Sequence, residues 1–291
     1  MNPAVSSENL PAVGAPKLPD EPLFVVEASE TGASINLKEL WTYRELLYFL
    51  VWRDVKIRYK QTLLGVTWVI LQPLLTMLIF TIIFSRVAKI NSDGIPYPVF
   101  AYAALLPWTF FAAALGNSGD SLVGSAHLIT KVYFPRVIIP MAAVGPSLVN
   151  LAISFPFLAL FMLYYRLVPT LNILLLPFLI LLTIVLALAV GMWFSAINVK
   201  YRDVKFAMPF LVQVWMYASP VVYPSSVVPA RFKLLYSLNP LTGIIDGFRS
   251  ALFGKAINLQ SLVIASALTL IMLVYASRRF RKMEQNFADI I

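Results

Sequence analysis

The stretch Leu167–Val199 reads LVPTLNILLLPFLILLTIVLALAVGMWFSAINV and holds no Asp, Glu, Lys or Arg. It is longer than the roughly 20 residues a helix needs to cross ~30 Å of hydrocarbon. Apolar and polar residues do not alternate along it, which argues against a strand of a porin-like barrel. A lipid-embedded backbone outside a closed barrel must satisfy its own N–H and C=O groups, so the stretch predicts a transmembrane helix. The same reasoning extends to Gln61–Ser85, Gly94–Gly119, Val137–Tyr165, Phe206–Ala230 and Ala256–Ser277, each free of charged residues. The chain therefore reads as an all-α membrane protein with six transmembrane helices. Val137–Tyr165 and Leu167–Val199 exceed one span, and predict interfacial turns or tilt.

Composition agrees with this. Of 291 residues, 59% are hydrophobic and 13% charged, and the mean hydropathy is +0.79. Soluble domains are nearer half apolar and a quarter charged, which sets aside a soluble enzyme and a disordered regulator. The net charge is +9. In so apolar a chain this fits Lys and Arg gathered at a cytoplasmic membrane edge better than a nucleic-acid partner, and none is expected. With the N-terminus inside, 16 of the 23 Lys and Arg fall on the cytoplasmic side, which puts both termini there. There is no Cys, so no disulfide framework or thiolate site, and a single His excludes a multi-His metal centre.

The chain divides into four parts. Residues 1–36, rich in Pro, Ser and Glu, predict a flexible cytoplasmic tail without a secretory signal. Residues 37–60 predict an amphipathic helix. At 100° per residue Lys38, Glu45, Arg53, Lys56 and Lys60 gather on one face, and Trp41, Leu47, Tyr48, Val51 and Val55 on the opposite one. Asp54 and Arg58 are spaced for a helical ion pair. An interfacial anchor and a partner-docking surface are equally compatible with this helix. Residues 61–277 carry the spans, and 278–291 a basic cytoplasmic tail.

Chemistry is sparse. No G-x-x-x-x-G-K-[ST] loop is present, and the nearest approach, Gly247 with Gly254-Lys255-Ala256, has the wrong spacing and lacks the hydroxyl. The six uncharged cores also lack His, so an ion-coupled relay has no titratable group there. Gly116-Asn117-Ser118-Gly119 has the pattern of an intramembrane serine protease, with His127 as the available base, an alternative of another class. Asp93, Asp120, Asp203 and Asp246 lie in different loops and make no acid/base pair. Prolines within the spans, among them Pro73, Pro107, Pro156 and Pro209, fit tolerated kinks or a bending channel alike. Trp68, Tyr102, Trp108, Trp215 and Tyr217 fit interfacial belts, or the wall of a pore for sugar rings.

Several segments together resemble the permease subunits of ABC-2 type exporters, in particular the polysaccharide, O-antigen and teichoic-acid branch. They are Trp52–Gly65 running into Trp68 and Leu71–Leu74, then Leu128–Arg136, Asn198–Val204, Ser219–Pro224 and Leu238–Arg249. The resemblance spans Trp41 to the C-terminus. It implies a homodimer with six helices per protomer around one channel in the bacterial cytoplasmic (inner) membrane. It also implies two copies of a separate ATPase subunit that carry ATP and Mg, with no cofactor on this chain. The substrate implied is a lipid-linked polysaccharide; a small amphiphile or drug is the alternative.

The resemblance further assigns residues. Trp41–Lys60 becomes an interface helix meeting the ATPase, with Arg53, Asp54, Arg58 and Tyr59 nearest the membrane. Asp120–Arg136 becomes a coupling loop ending in Lys131, Tyr133, Phe134, Pro135 and Arg136. Tyr201, Arg202 and Asp203 form the next cytoplasmic loop, where a local ion pair and a positive-inside anchor are the plainer reading. Tyr223–Lys255 becomes short re-entrant outer helices before the last span, with Tyr223, Asn239, Pro240 and a paired Asp246 and Arg249.

Overall fold

The computed structural model describes residues 37–60, 65–284 and Phe287. The expected tail over 1–36, Gln61–Leu64 of the first motif and most of the last residues lie outside them. Every regular element among the described residues is helical.

The helices are α1 (Leu37–Thr42), α2 (Arg44–Lys60), α3 (Gly65–Phe80, continued as a π-helical turn over Thr81–Val87) and α4 (Tyr97–Gly124). Then come α5 (Ala126–Lys131), α6 (Ile138–Ala142), α7 (Gly145–Tyr164), α8 (Leu176–Lys200) and α9 (Val204–Tyr217). The chain closes with α10 (Lys233–Ser237), α11 (Pro240–Phe253) and α12 (Leu259–Glu284). The single helix expected over 37–60 is divided by a turn at Tyr43, although backbone hydrogen bonds run through it. The turns expected in the long stretches are present: Ala143–Val144 separates α6 from α7, and a 3-10 turn over Leu171–Leu175 precedes α8.

Among the described residues, five helical stretches are long and apolar enough to cross a membrane: Gly65–Val87, Tyr97–Gly124, Ile138–Tyr164, Leu171–Lys200 and Leu259–Glu284. The sixth expected one, Phe206–Ala230, is helical only in part. Its helix, α9, has 14 residues and is about 21 Å long, too short for the hydrocarbon core. The chain still travels the length of α4 there. Met208 packs at Gly119, Trp215 packs on Phe111 at 5.1 Å, and the Tyr97 hydroxyl donates to the Val222 carbonyl at 2.7 Å. Helix gives way to irregular backbone after Tyr217, where side chains of a later element take over the hydrogen bonding.

Contacts define two ends of the bundle. At the N-terminal end, α1 meets α12 through Glu39 and Arg281 at 3.6 Å, and Asn198 of α8 donates to the Gly119 carbonyl of α4 at 3.1 Å. At the far end, Lys255 Nζ donates to the Asp93 carbonyl at 2.8 Å, and Asn172 Nδ2 to the Lys255 carbonyl at 3.2 Å. Helix α4 is the central element, buried over most of its length and packed on α3, α7, α8 and α11.

Helix α11 is nearly all buried. Its start is set by Asn239, whose Oδ1 accepts from the Leu241 N–H, followed by Pro240 at the first helical position. Its stop is Gly254 at φ +66°, a left-handed position that a Cβ disfavours. Gly243 lets it close on α12: a Cβ there would come within 2.5 Å of the Ser261 carbonyl oxygen.

Candidate functional site

The N-terminal end carries the residues expected to meet a partner. Helix α2 has three faces. Tyr43, Leu46, Leu47 and Leu50 turn toward the other helices; Leu50 is buried with Leu122, Ile129 and Phe280. Glu45, Lys56 and Lys60 stay exposed. The large aromatics Trp41, Tyr48 and Trp52 form an exposed stripe, with the Lys56 ammonium 4.3 Å over the Trp52 ring. The two opposed faces expected from the sequence are thus corrected, because Leu47 and Val51 pack against the chain while Trp41 and Tyr48 do not.

The charged end of α2 lines a cleft of about 680 Å³ with α4 and α6, walled by Arg53, Asp54, Arg58, Asn117 and Asp120. The expected Asp54–Arg58 pair is absent there. Arg53 binds Asp54 instead, with Nε and one terminal nitrogen each 2.9 Å from Oδ1. Arg58 donates to Asn117 Oδ1 at 3.0 Å, and Tyr59 donates to Asn150 Oδ1. Burial raises the Tyr59 pKa above the ordinary tyrosine value, partly offset by Arg58. Arg58 and Tyr59 are therefore engaged with this chain's own helices.

The coupling segment is shorter than expected, because α4 continues through Asp120 to Gly124. Asp120 accepts from Asn198 at 3.2 Å. Only Ser125 separates α4 from α5, which leads into the motif. The motif splits: Lys131 and Tyr133 are exposed, Tyr133 at 76%, while Phe134 is 7% exposed within the apolar cluster under α2. Pro135 and Arg136 are half-buried, and the Arg136 backbone N–H donates to the Glu284 carboxylate at 2.9 Å while its guanidinium donates to the Glu284 carbonyl. Tyr201, Arg202 and Asp203 are all exposed. Among the described residues neither Arg202 nor Asp203 forms the local ion pair expected there; Lys200 sits 5.2 Å over the Tyr201 ring.

The aromatics expected in a belt or a pore wall fall into two groups. Tyr102 is 0% and Trp108 5% exposed, so neither reaches the protomer surface. Tyr102 packs on Phe161 at 5.5 Å and Trp108 on Phe111 at 6.0 Å. Trp68 and Tyr217 are exposed, and Trp215 is half-buried. Two aromatics missed in the sequence, Phe206 and Phe210, are exposed on α9 at helical spacing with Tyr217. The cue was their i, i+4 and i+11 spacing.

At the far end, two side chains of the α10–α11 region hold the broken segment after α9. Asn239 uses its whole amide. Oδ1 accepts from Trp215 Nε1 at 3.0 Å and from the Leu241 N–H, while Nδ2 donates to the Ala218 carbonyl at 3.1 Å and Ser219 Oγ at 2.8 Å. Arg249 is buried. Its guanidinium donates to the carbonyls of Pro220 at 2.6 Å, Val221 at 2.9 Å and Phe100 at 3.4 Å, and lies 3.5 Å over the Phe100 ring. Asp246 stands 4.0 Å from Arg249, so the expected pair is present but secondary to the carbonyl contacts. Tyr223 donates to the Tyr217 carbonyl at 2.9 Å, and Pro240 is buried at the start of α11. Asp93, distant in sequence, is near enough for its charge to act on Asp246.

Irregular backbone at membrane depth is tolerated where protein groups satisfy it. Asn239→Leu removes four hydrogen bonds at similar volume. It is expected to cost about 2–4 kcal/mol, read as a lower melting temperature in mild detergent, since each stranded buried group costs about 1–3 kcal/mol. An unchanged melting temperature would show that the segment does not depend on Asn239.

The protease alternative fails on geometry. Ser118 is fully buried between α4 and α8, against Gly191, and its hydroxyl has no partner. His127 is exposed on α5.

The fold is that of a polytopic helical membrane protein, with a short helix pair at one end and a buried helix at the other. The ABC-2 type transporter family matches residues 45–253, and the chain belongs to that family. Among its relatives is the O-antigen export system permease protein RfbA of Myxococcus xanthus, 30% identical over 258 residues, which cover 88% of this chain and 98% of that one. RfbA of Klebsiella pneumoniae is 28% identical over 248 residues, 85% of this chain and 95% of the relative. The polysialic acid transport protein KpsM of Escherichia coli is 22% identical over 223 residues, 75% of this chain and 86% of the relative.

Proposed function

We propose that this chain is the permease subunit of an ATP-driven exporter that moves a polysaccharide, such as an O-antigen joined to a lipid carrier, across the bacterial cytoplasmic membrane. The observation that carries this reading is the match to O-antigen export permeases over nearly their full length. The match to a polysialic acid transporter keeps the substrate class polymeric.

ATP and Mg belong, in this reading, to two copies of a separate ATPase beneath a homodimer of this chain. The N-terminal end of the bundle is cytoplasmic. The docking face combines the exposed Lys131 and Tyr133 with the charged stripe of α2. The chain crosses six times, the fifth crossing being α9 completed by the segment held by Asn239 and Arg249. The channel wall includes the exposed aromatic stripe Phe206, Phe210 and Tyr217, together with Trp68. Flat aromatic faces suit sugar C–H faces and let a polymer slide without a fixed register.

The first test is purification from the native membrane in mild detergent with mass spectrometry of the co-purifying chains. A stoichiometric nucleotide-binding ATPase is expected. In liposomes, the complex should move lipid-linked polysaccharide only with ATP, and Phe206→Ala with Phe210→Ala should slow it at least fivefold while the ATPase stays bound. A chain that transports alone, or a complex that moves only small amphiphiles, would overturn the reading.

A further inference from the structure

Two hydrogen bonds tie the last turn of α2 to the long helices, and a third joins those helices to each other. Arg58 donates to Asn117 Oδ1 at 3.0 Å. Nδ2 of Asn117 passes the chain on to Ser147 Oγ at 3.1 Å. Tyr59 donates to Asn150 Oδ1. Asn117 is the single amide side chain of α4, and Asn150 that of α7. Both are engaged by consecutive residues of α2. Ser147 is fully buried and the other members are half-buried.

Just above, α2 comes close to the start of α7: a Cβ on Gly145 would lie 2.5 Å from Val51 Cγ1. Apolar contact of this kind resists separation but allows sliding. Hydrogen bonds are directional and weaken steeply when misaligned. They are stronger where water is scarce and where one partner carries a charge, as Arg58 does. The polar contacts are thus what makes α2 move with α4 and α7 rather than across them.

Their position on α4 matters too. From Asn117 the helix runs two more turns to Gly124, and Ser125 then joins it to α5 and the exposed Tyr133. A push on α2 and a push on the Lys131–Tyr133 tip therefore meet on the same two turns. Helix α4 is the most completely buried of the long helices, so a load applied there is carried by the packed bundle.

We infer that Asn117 and Asn150 are the positioning residues through which displacement of α2 reaches the transmembrane helices during transport. The inference rests on the proposed function above, in which α2 faces an ATPase. Asn117 joins the two inner contacts on one lever, and Asn150 gives α7 the same displacement.

The test uses the full chain with its co-purified ATPase in liposomes loaded with lipid-linked polymer extracted from the native membrane. It reads ATP hydrolysis and polymer moved per ATP. Asn117→Leu is expected to keep ATP hydrolysis within about twofold and to lower polymer moved per ATP at least tenfold. An unchanged ratio would overturn the inference. A second arm is independent of how Asn117→Leu folds. The chain has no native Cys, so Tyr59→Cys with Asn150→Cys places the only two thiols at the α2–α7 contact. The open variant should transport poorly, and closing it with a short bifunctional thiol reagent should restore transport. A closed link that gives no recovery would also overturn the inference. Failure of the underlying reading shows separately, as absence of ATP-dependent export by the wild-type complex, and removes this inference with it.

Discussion

Arg249→Met is expected to be among the most damaging single substitutions in this protein. The side chain keeps its volume but loses the donors that serve the carbonyls of Pro220, Val221 and Phe100. It also leaves Asp246, 4.0 Å away, without its countercharge. Removing one member of a buried charged network typically costs about 3–5 kcal/mol. That is a large share of the 5–15 kcal/mol by which folded domains are stable. The chain should accumulate poorly in membranes and lose its monodisperse peak in mild detergent. Arg249→Lys keeps the charge on a point donor that cannot reach all three carbonyls, and should be intermediate. A Met variant melting within about 2 °C of wild type would mean the broken segment does not depend on Arg249.

Tyr133 and Phe134, adjacent in the coupling motif, are expected to fail in different ways. Phe134 fills the cluster with Leu50, Leu122, Ile129 and Phe280, so Phe134→Ala should cost about 3–5 kcal/mol through the cavity it leaves. Tyr133 is exposed, so Tyr133→Ala should leave stability within about 0.5 kcal/mol. Its effect should appear only in export, with at least a tenfold loss and unchanged insertion. Melting curves and export assays on the two single variants separate these outcomes. Normal export by Tyr133→Ala would remove the docking role of the motif tip. The double variant cannot make this distinction, because misfolding and uncoupling would look alike.

The membrane class was legible because it depends on length and polarity alone. Any uncharged run longer than a bilayer crossing must be helical or closed in a barrel, and the runs do not alternate. The same rule overstated the run Phe206–Ala230. It has the composition of a span, yet its helix ends at Tyr217. Nothing local to that run reveals that Asn239 and Arg249, more than twenty residues later, hydrogen-bond its backbone. The start and stop of α11 were visible as Asn239-Pro240 and Gly254, since capping is local chemistry.

Burial was the harder quantity. Tyr102 and Trp108 carry the residue types of a pore or a belt, and helical periodicity in an all-apolar helix gives no sign of which face is covered. Packing on α7 and α8 put them inside. Likewise the charges of α2 suggested an i, i+4 pair, but Asn117 drew Arg58 away and left Asp54 to Arg53.

By itself the sequence determined that this protein is a helical membrane bundle of the ABC-2 type. Bilayer thickness, backbone satisfaction and motif spacing are properties of the chain read in one dimension. Only the tertiary structure decided which residues of each motif are anchors and which are surface, and where helix yields to irregular backbone. Both depend on side chains distant in sequence meeting in space.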